Sequence, residues 1–124
     1  MSEGGWTTAR ITHVAERDAW VGAQEGGTYV APSLEREGFI HCSTPWQVVR
    51  IANLNMPGRD DLVLLVIDPS RLDATVVFEN CEGRLEPFPH VYGGVLVEAV
   101  ETVWNLEWDD SADSYGFPEG YRTP

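Results

Sequence analysis

Apolar residues in the first half of the chain recur at two spacings, which together predict two strands and two helices. Alternation of apolar and polar residues is typical of a half-buried strand, whereas apolar residues three or four positions apart form one face of a helix. These patterns predict a strand over residues 11–15, a helix over 16–25, an extended segment over 29–34, one helical turn over 34–37, a strand over 39–43 and a helix from residue 45 to the Pro57-Gly58 pair.

The start of the second helix is the best-defined local feature of the sequence. Thr44-Pro45-Trp46-Gln47 has the form of a capping box, in which Thr44 is the N-cap and Gln47 reaches back to it. A helix start offers free backbone N–H groups and the positive end of the helix dipole to an anion. Ser43 and Thr44 are therefore expected to hold a phosphate, with N-capping as the alternative explanation for both.

The second half of the chain is rich in strand patterns and contains one run that is apolar throughout. Residues 62–67 read LVLLVI between Asp61 and Asp68-Pro69, a run too short for a typical helix. Such a run is typical of a strand that is buried on both faces. Further strands are predicted over residues 74–79 and 91–104, with a break at Gly93-Gly94 and a Pro-containing loop over 80–90.

The order of these elements predicts a single α+β domain over residues 10–104, because strict β-α-β alternation is absent. Residues 1–9 are expected to form a flexible leader. Residues 105–124 form an acidic tail with several aromatic residues, which either packs on the domain or stays loose.

The charge of the chain restricts its partners. It has 20 acidic and 8 basic residues, all of the basic ones arginines, and a formal net charge of −12. Without a basic cluster, nonspecific binding to nucleic acid or to an anionic membrane is not expected. One or two placed arginines could still bind a small phosphate-bearing ligand, and the candidates are Arg10, Arg17, Arg36 and Arg50.

The sequence also predicts where the protein is found. No stretch approaches the ~20 apolar residues of a membrane span, and the first residues lack the features of a secretory signal. A cytoplasmic protein with reduced thiols is expected, because Cys42 and Cys81 could form at most one disulfide. Cys42 lies among apolar residues and is expected to be a buried small side chain rather than a nucleophile.

Three histidines are the candidate chemical groups. His13 lies in the first predicted strand, His41 in the second, and His90 at the end of the Pro-rich loop. Each could be a hydrogen-bonded core residue if taken singly. Their spacing matches no local zinc-ligand motif, so no metal is expected, although a site built from all three is an open alternative. Cys42 and His41 are neighbours on a strand, point to opposite faces and therefore do not form a catalytic dyad.

Several segments together resemble the bacterial "domain of unknown function 952" family over roughly residues 10–104. The motifs that carry the resemblance are EGFIHCS at residues 37–43 and FPHVYG at residues 88–93, in that order. The resemblance implies a fold similar to ADP-ribosyltransferases. That fold is a split mixed sheet, here with two helices in the N-terminal half, and it holds NAD in a cleft between two small sheets.

The resemblance also implies a site. His13 resembles the first-strand residue that holds the adenosine ribose, His41 with Ser43 resembles the position that packs on nicotinamide, and His90 falls near the late-strand position that acts on the nicotinamide ribose. NAD or a related nucleotide is then the expected small-molecule substrate, in a cleft that three imidazoles share. The remaining expected ligand-binding residues are Tyr29, Thr44 and Tyr92.

Under this interpretation His41 or His90 acts as general acid or base, because imidazole titrates near neutral pH. Glu98 and Glu101 are candidates for the acidic residue that such transferases carry on a late strand. Two alternatives remain open: a non-catalytic domain that binds a nucleotide or another small molecule, and a metal enzyme based on the three histidines.

Overall fold

The computed structural model describes residues 10–80 and 86–121. In chain order the elements are β1 (Ile11–Glu16), α1 (Arg17–Gly26), β2 (Thr28–Tyr29), α2 (Pro32–Glu37), β3 (Ile40–His41), α3 (Val48–Asn55), β4 (Leu62–Ile67), a 3₁₀ turn (Pro69–Arg71), β5 (Thr75–Glu79), β6 (Phe88–Tyr92), β7 (Val95–Leu96), a second 3₁₀ turn (Val97–Ala99), β8 (Val100–Leu106), β9 (Trp108–Asp109) and β10 (Ser114–Tyr115).

The first sheet is built around β4, which lies between β1 and β8. All six β4 residues are buried, so the prediction of a strand covered on both faces is confirmed. Its side chains alternate between two apolar clusters, because successive residues of a strand point to opposite faces. Val63, Leu65 and Ile67 belong to one cluster, and Leu62, Leu64 and Val66 belong to the other.

The second sheet has the order β3-β6-β5, and β2 pairs with β7 beside it. A single antiparallel bridge between Thr12 of β1 and Ser43 connects the two larger sheets. The Thr12 N–H donates to the Ser43 carbonyl at 2.7 Å, and the Ser43 N–H donates back at 2.8 Å. This bridge brings His13, the next residue of β1, close to the end of β3.

The expected α+β class is confirmed, but two details of the expected architecture are wrong. Every strand pair in the described residues is antiparallel, so the sheet is not mixed. The first half also contains three helices instead of two. The segment expected to be extended over residues 29–34 turns into α2 at Pro32, which occupies the start of the helix, and Gly38 ends α2 in the left-handed conformation with φ 90°.

Two element boundaries differ from the prediction for local reasons. The capping pair of α3 forms, since the Thr44 N–H donates to Gln47 Oε1 at 2.9 Å and the Gln47 N–H donates to Thr44 Oγ1 at 3.3 Å. Residues 45–47 form a turn, so α3 begins at Val48 and not at Pro45. Strand β6 begins at Phe88, which shortens the loop predicted over residues 80–90.

The C-terminal segment packs on the domain as far as residue 121. Tyr115 and Tyr121 are buried in the apolar cluster under α3. The Asn53 side chain of α3 holds the segment through both groups of the Tyr115 backbone, at 2.8 and 3.2 Å. Strand β8 continues to Leu106, past the predicted domain end at residue 104. The predicted leader over residues 1–9 and the final residues 122–124 lie outside the described residues.

Among the helices of the described residues, none combines the length and the apolar character that crossing a membrane requires.

Candidate functional site

An open cavity of about 720 Å³ lies beside the junction of the two larger sheets. Its walls come from β1, α1, β2, the α2 region, the β3 end, the last turn of α3 and β6. Five of the predicted site residues line it, namely His13, Tyr29, His41, Ser43 and His90. Thr44 and Tyr92 do not line it. The structure therefore brings the three histidines around one cavity, and their chemical roles stay predictions.

His13 is buried at the inner end of the site, and its hydrogen bonds fix its tautomer. Nδ1 lies 2.6 Å from the His41 carbonyl oxygen, which can only accept, so Nδ1 carries the proton. Nε2 lies 3.0 Å from the Tyr29 hydroxyl and accepts from it. Burial lowers the pKa of His13 to about 4, and burial also raises the pKa of Tyr29 to about 12. Both groups are therefore neutral at pH 7.

His41 lies at the exposed edge of the site. Its side chain is 48% exposed, and Nε2 lies 3.0 Å from Oε1 of Glu37, which is four residues earlier in the chain. Its ring meets the edge of Phe39 at 4.9 Å between centroids. Of the three histidines, His41 is the one that a ligand or bulk water reaches most easily.

His90 pairs with His41 across the second sheet but is buried. Its ring stacks on Phe39 with centroids 4.0 Å apart and an angle of 16° between the planes. Nδ1 lies 2.7 Å from Glu79 Oε1, and the Tyr92 hydroxyl donates to the same oxygen at 2.6 Å. Both bonds lower the pKa of Glu79, the Tyr92 bond more than the His90 bond.

Glu79 is the residue that sequence reasoning missed. Glu98 and Glu101 were the expected acidic candidates, yet neither lines the cavity, and Glu101 forms a two-point ion pair with Arg10 at 2.8 and 2.7 Å. The only sequence feature that could indicate Glu79 is its place as the charged residue at the end of the strand pattern over residues 74–79.

Three backbone donors around the helix start have partners within the protein, and the phosphate site expected at Ser43 and Thr44 stays a prediction. The Ser43 N–H donates to Thr12, the Thr44 N–H donates to the Gln47 side chain, and the Gln47 N–H donates to Thr44. Thr44 thus acts as a cap, which was the alternative explanation. The cavity meets the opposite end of α3, at Asn55.

One of the four candidate arginines, Arg36, lines the cavity. Within residues 10–80 and 86–121, its guanidinium has no hydrogen-bond or ion-pair partner. The other three are occupied elsewhere, since Arg10 binds Glu101, Arg17 binds the Asp60 carbonyl and Arg50 binds Glu86. Arg36 at the last turn of α2 is therefore the cation that the cavity offers to an anionic group.

A second arginine, Arg59, lines the cavity but is neutralised there. It donates to both carboxylate oxygens of Asp61, at 2.9 and 2.6 Å, and to Glu16 at 2.9 Å. These bonds raise the pKa of Arg59 and lower that of Asp61. Arg59 therefore lines the cavity as part of an ion pair, whereas Arg36 lines it without such a partner among the described residues.

Cys42 also lines the cavity, and it is buried and unpaired with another cysteine. Burial raises the pKa of its thiol to about 12, so the nucleophilic thiolate is absent at neutral pH. The prediction that Cys42 is buried is confirmed. Cys81 lies outside the described residues.

The described residues contain no group of three or more His, Cys, Asp or Glu side chains arranged to hold a metal ion. The polar groups that line the cavity include three imidazoles, hydroxyl groups, the guanidinium of Arg36 and the paired charges of Arg59 and Glu16. Such a set is suited to an organic ligand that presents hydrogen-bonding groups and an anion.

These features define the protein as an α+β domain with a histidine-lined cavity at the junction of two antiparallel sheets. A family described as "Protein of unknown function (DUF952)" matches residues 14–103, and the chain belongs to that family. Among curated proteins, none matches the chain.

Solved structures of protein CC0527 from Caulobacter crescentus resemble this chain. Its crystal structure has a TM-score of 0.75 and 29% sequence identity, and the match covers 86% of this chain and 91% of that one. The solution NMR structure has a TM-score of 0.73 and 28% sequence identity, and the match covers 90% of this chain and 92% of that one. These likenesses support the fold.

Proposed function

We propose that the chain is an ADP-ribosyltransferase-like protein that binds NAD or a related nucleotide in the histidine-lined cavity. The observation that carries the proposal is the placement of three imidazoles from three strands around one cavity, with the unpaired Arg36 on its wall. The pair of small sheets beside a cleft is consistent with such a fold. One fold hosts many activities, so the side chains of the cavity carry the argument.

Arg36 supplies recognition of phosphate. A guanidinium donates two parallel hydrogen bonds to phosphate oxygens, and such charge-assisted bonds are about twice as strong as neutral ones. The other cation of the cavity, Arg59, is bound to Asp61 and Glu16 and is already neutralised. The diphosphate of the nucleotide therefore lies toward α2.

His13 and Tyr29 supply a neutral polar surface for the ribose. With a pKa of about 4, His13 is not a proton donor in acid–base catalysis at pH 7. Its ring is held by the His41 carbonyl and the Tyr29 hydroxyl, so it presents a fixed surface that costs no reorganisation on binding. Both ring nitrogens of His13 are thus occupied, and its role is to orient the Tyr29 hydroxyl, whose oxygen is still able to accept a hydrogen bond from the ligand.

His41 and His90 supply the acid–base chemistry. In the proposed transfer, the bond between ribose and nicotinamide breaks, nicotinamide leaves with the bonding electrons, and an acceptor O–H or N–H attacks the same ribose carbon. A neutral imidazole takes the proton that the acceptor loses. His41 is exposed at the mouth of the cavity, where an acceptor would approach.

One observation favours a second candidate, a domain that binds the nucleotide without turnover. Among the described residues that line the cavity, the single carboxylate is Glu16, and it is bound to Arg59. A cationic transition state at the ribose gains most from a nearby negative charge. Binding alone does not need that charge, so turnover is the measurement that separates the two candidates.

The first experiment measures binding of NAD and of ADP-ribose by titration calorimetry. Arg36→Gln is expected to weaken both affinities about 10- to 100-fold, the loss of a hydrogen bond to a charged group. Arg71→Gln is the matched control, since Arg71 is exposed and lies away from the cavity. Failure of the unaltered protein to bind either ligand, or an equal loss in both variants, would refute the proposed site.

The second experiment incubates the protein with NAD and measures nicotinamide release by mass spectrometry. Transferase activity predicts release that falls at least about 100-fold in His41→Ala, the lower end of a general acid–base contribution. Binding without any release, in the unaltered protein, would assign the cavity to the non-catalytic candidate.

A further inference from the structure

The carboxylate of Glu79 occupies a position behind His90 that neither the family nor the solved relatives assign to any role. Glu79 lies on β5, two residues past Val77, which pairs with His90. Its Oε1 is 2.7 Å from His90 Nδ1, and the His90 side chain is 3% exposed. The bond therefore connects a buried ring that lines the cavity to a carboxylate that does not line it.

The partners of this bond determine which ring nitrogen carries a proton. An ionised carboxylate can only accept hydrogen bonds, so His90 Nδ1 must be the donor. The Tyr92 hydroxyl donates to the same oxygen and lowers the pKa of Glu79 further, which keeps Glu79 ionised. In the neutral ring the lone pair is then on Nε2, the nitrogen that is able to take a proton.

The ring cannot turn easily to exchange its two nitrogens. One face is stacked on Phe39 at 4.0 Å between centroids, and the His41 ring meets it at 5.3 Å and 79°. Close packing of this kind resists the rotation of a buried ring. The carboxylate therefore sets the tautomer and the neighbouring rings preserve it.

The other carboxylate–histidine pair of the site has the opposite arrangement. Glu37 binds His41 through Nε2, and the two side chains are 38% and 48% exposed. An exposed pair of this kind contributes little, because solvent screens it and both side chains can move. In the Glu79–His90 pair the carboxylate is 34% exposed but the ring is only 3% exposed, so the buried ring is the partner whose orientation is fixed.

We propose that Glu79 is the positioning residue of His90, holding it as the Nδ1–H tautomer so that the basic lone pair of the ring is on Nε2. When Nε2 takes a proton, the imidazolium lies beside an ionised carboxylate at 2.7 Å, which stabilises the charged ring. Only the statement that this proton belongs to a nucleotide reaction rests on the proposed function. The tautomer itself is independent of that function.

The test is long-range ¹H–¹⁵N NMR of the histidine rings, which identifies the protonated nitrogen directly. The unaltered protein is expected to show His90 as the Nδ1–H tautomer. Glu79→Gln is expected to keep it, because the amide oxygen still accepts, whereas Glu79→Ala is expected to lose it. Glu37→Gln is the matched control, and it is expected to leave the His90 signals unchanged.

Two NMR outcomes would overturn the proposal: an Nε2–H tautomer in the unaltered protein, or an unchanged His90 pattern in a folded Glu79→Ala variant. If Glu79→Ala does not fold, the unaltered protein and Glu79→Gln still test the proposal. An Nε2–H tautomer of His90 in either of them contradicts the assigned role.

Turnover measurements then separate this proposal from the proposed function. If NAD turns over, Glu79→Gln is expected to lower kcat at least about 10-fold with a small change in KM, because charge stabilisation is lost while the ring orientation is kept. An unchanged kcat would overturn the proposal. If NAD does not turn over but the tautomer pattern is as expected, the positioning role stands and the transferase proposal fails.

Discussion

His13 is expected to make the stability of the fold depend on pH between about 7 and 4. In the folded protein it is buried and neutral, with Nδ1–H donating to the His41 carbonyl and Nε2 accepting from Tyr29. Burial lowers its pKa from the ordinary value of 6.5 to about 4. The unfolded chain therefore binds a proton in a pH range where the folded chain does not. Since the unfolded state binds more protons there, stability is retained above pH 6.5 and falls as the pH falls toward 4.

The size of the effect follows from the two pKa values. Integrating the difference in bound protons from pH 7.5 to pH 5.0 gives a loss of about 2 kcal/mol in the free energy of unfolding. The measurement stops at pH 5.0 because the isoelectric point of the chain is about 4.4, where its solubility is lowest.

The assay is urea unfolding followed by tryptophan fluorescence at a series of pH values, for the unaltered protein and for His13→Gln. Glutamine does not titrate, so the difference between the two curves isolates His13. Carboxylates whose pKa is lowered by their partners lose stability at lower pH in both proteins, and they cancel in the difference. These carboxylates are Asp61, Asp68, Glu79 and Asp109.

Parallel curves for the two proteins between pH 7.5 and 5.0 would refute the reasoning about His13. A direct NMR titration of the His13 ring in the unaltered protein gives a second measurement if His13→Gln folds poorly. A midpoint near 6.5 in that titration would show that the ring is accessible to protons in the folded state.

The remaining predictions concern packing and reactivity. Leu65→Ala is expected to lower the free energy of unfolding by about 2–5 kcal/mol. Val103→Ala, at the paired and exposed position of β8, should cost less than about 1 kcal/mol in the same denaturant melts. Asn53→Ala is expected to expose the C-terminal segment to limited proteolysis while the domain stays folded. If the domain unfolds in the same step as the segment is cleaved, this expectation is wrong. In a Cys81→Ser background, Cys42 should resist a thiol reagent at pH 8 until denaturant is added, and rapid labelling of the native protein would contradict its burial.

Elements whose formation depends on neighbouring residues could be predicted from the sequence. The burial of residues 62–67 follows from their composition, because an unbroken apolar run needs cover on both faces. The bonds between Thr44 and Gln47 follow from the capping pattern, and the structure forms both of them. The left-handed Gly38 likewise ends a helical turn where the sequence places it.

Features that depend on pairing between distant segments could not be predicted. Whether an arginine is free depends on partners far away in the chain, as in the bond between Arg10 and Glu101, 91 residues apart. The contact between Glu79 and His90 depends on the register of β5 against β6. Alternation along a single strand shows which residues share a face, but it does not show which strand lies beside it.

Strand β4 packs against residues of the cavity and against the C-terminal segment through different faces. Leu65 and its alternate neighbours on β4 pack in the cluster that contains Tyr29 and Cys42, two residues of the cavity. Leu64 and its alternate neighbours pack in the cluster that contains Tyr115 of the C-terminal segment. One buried strand therefore packs against Tyr29 and Cys42 through one face and against Tyr115 through the other, while the cavity residues Val14 and Met56 pack in the second cluster. Packed interiors transmit strain through direct contacts. Of two substitutions that lower the free energy of unfolding equally, the one at Leu65 should therefore alter the histidine NMR signals more than the one at Leu64.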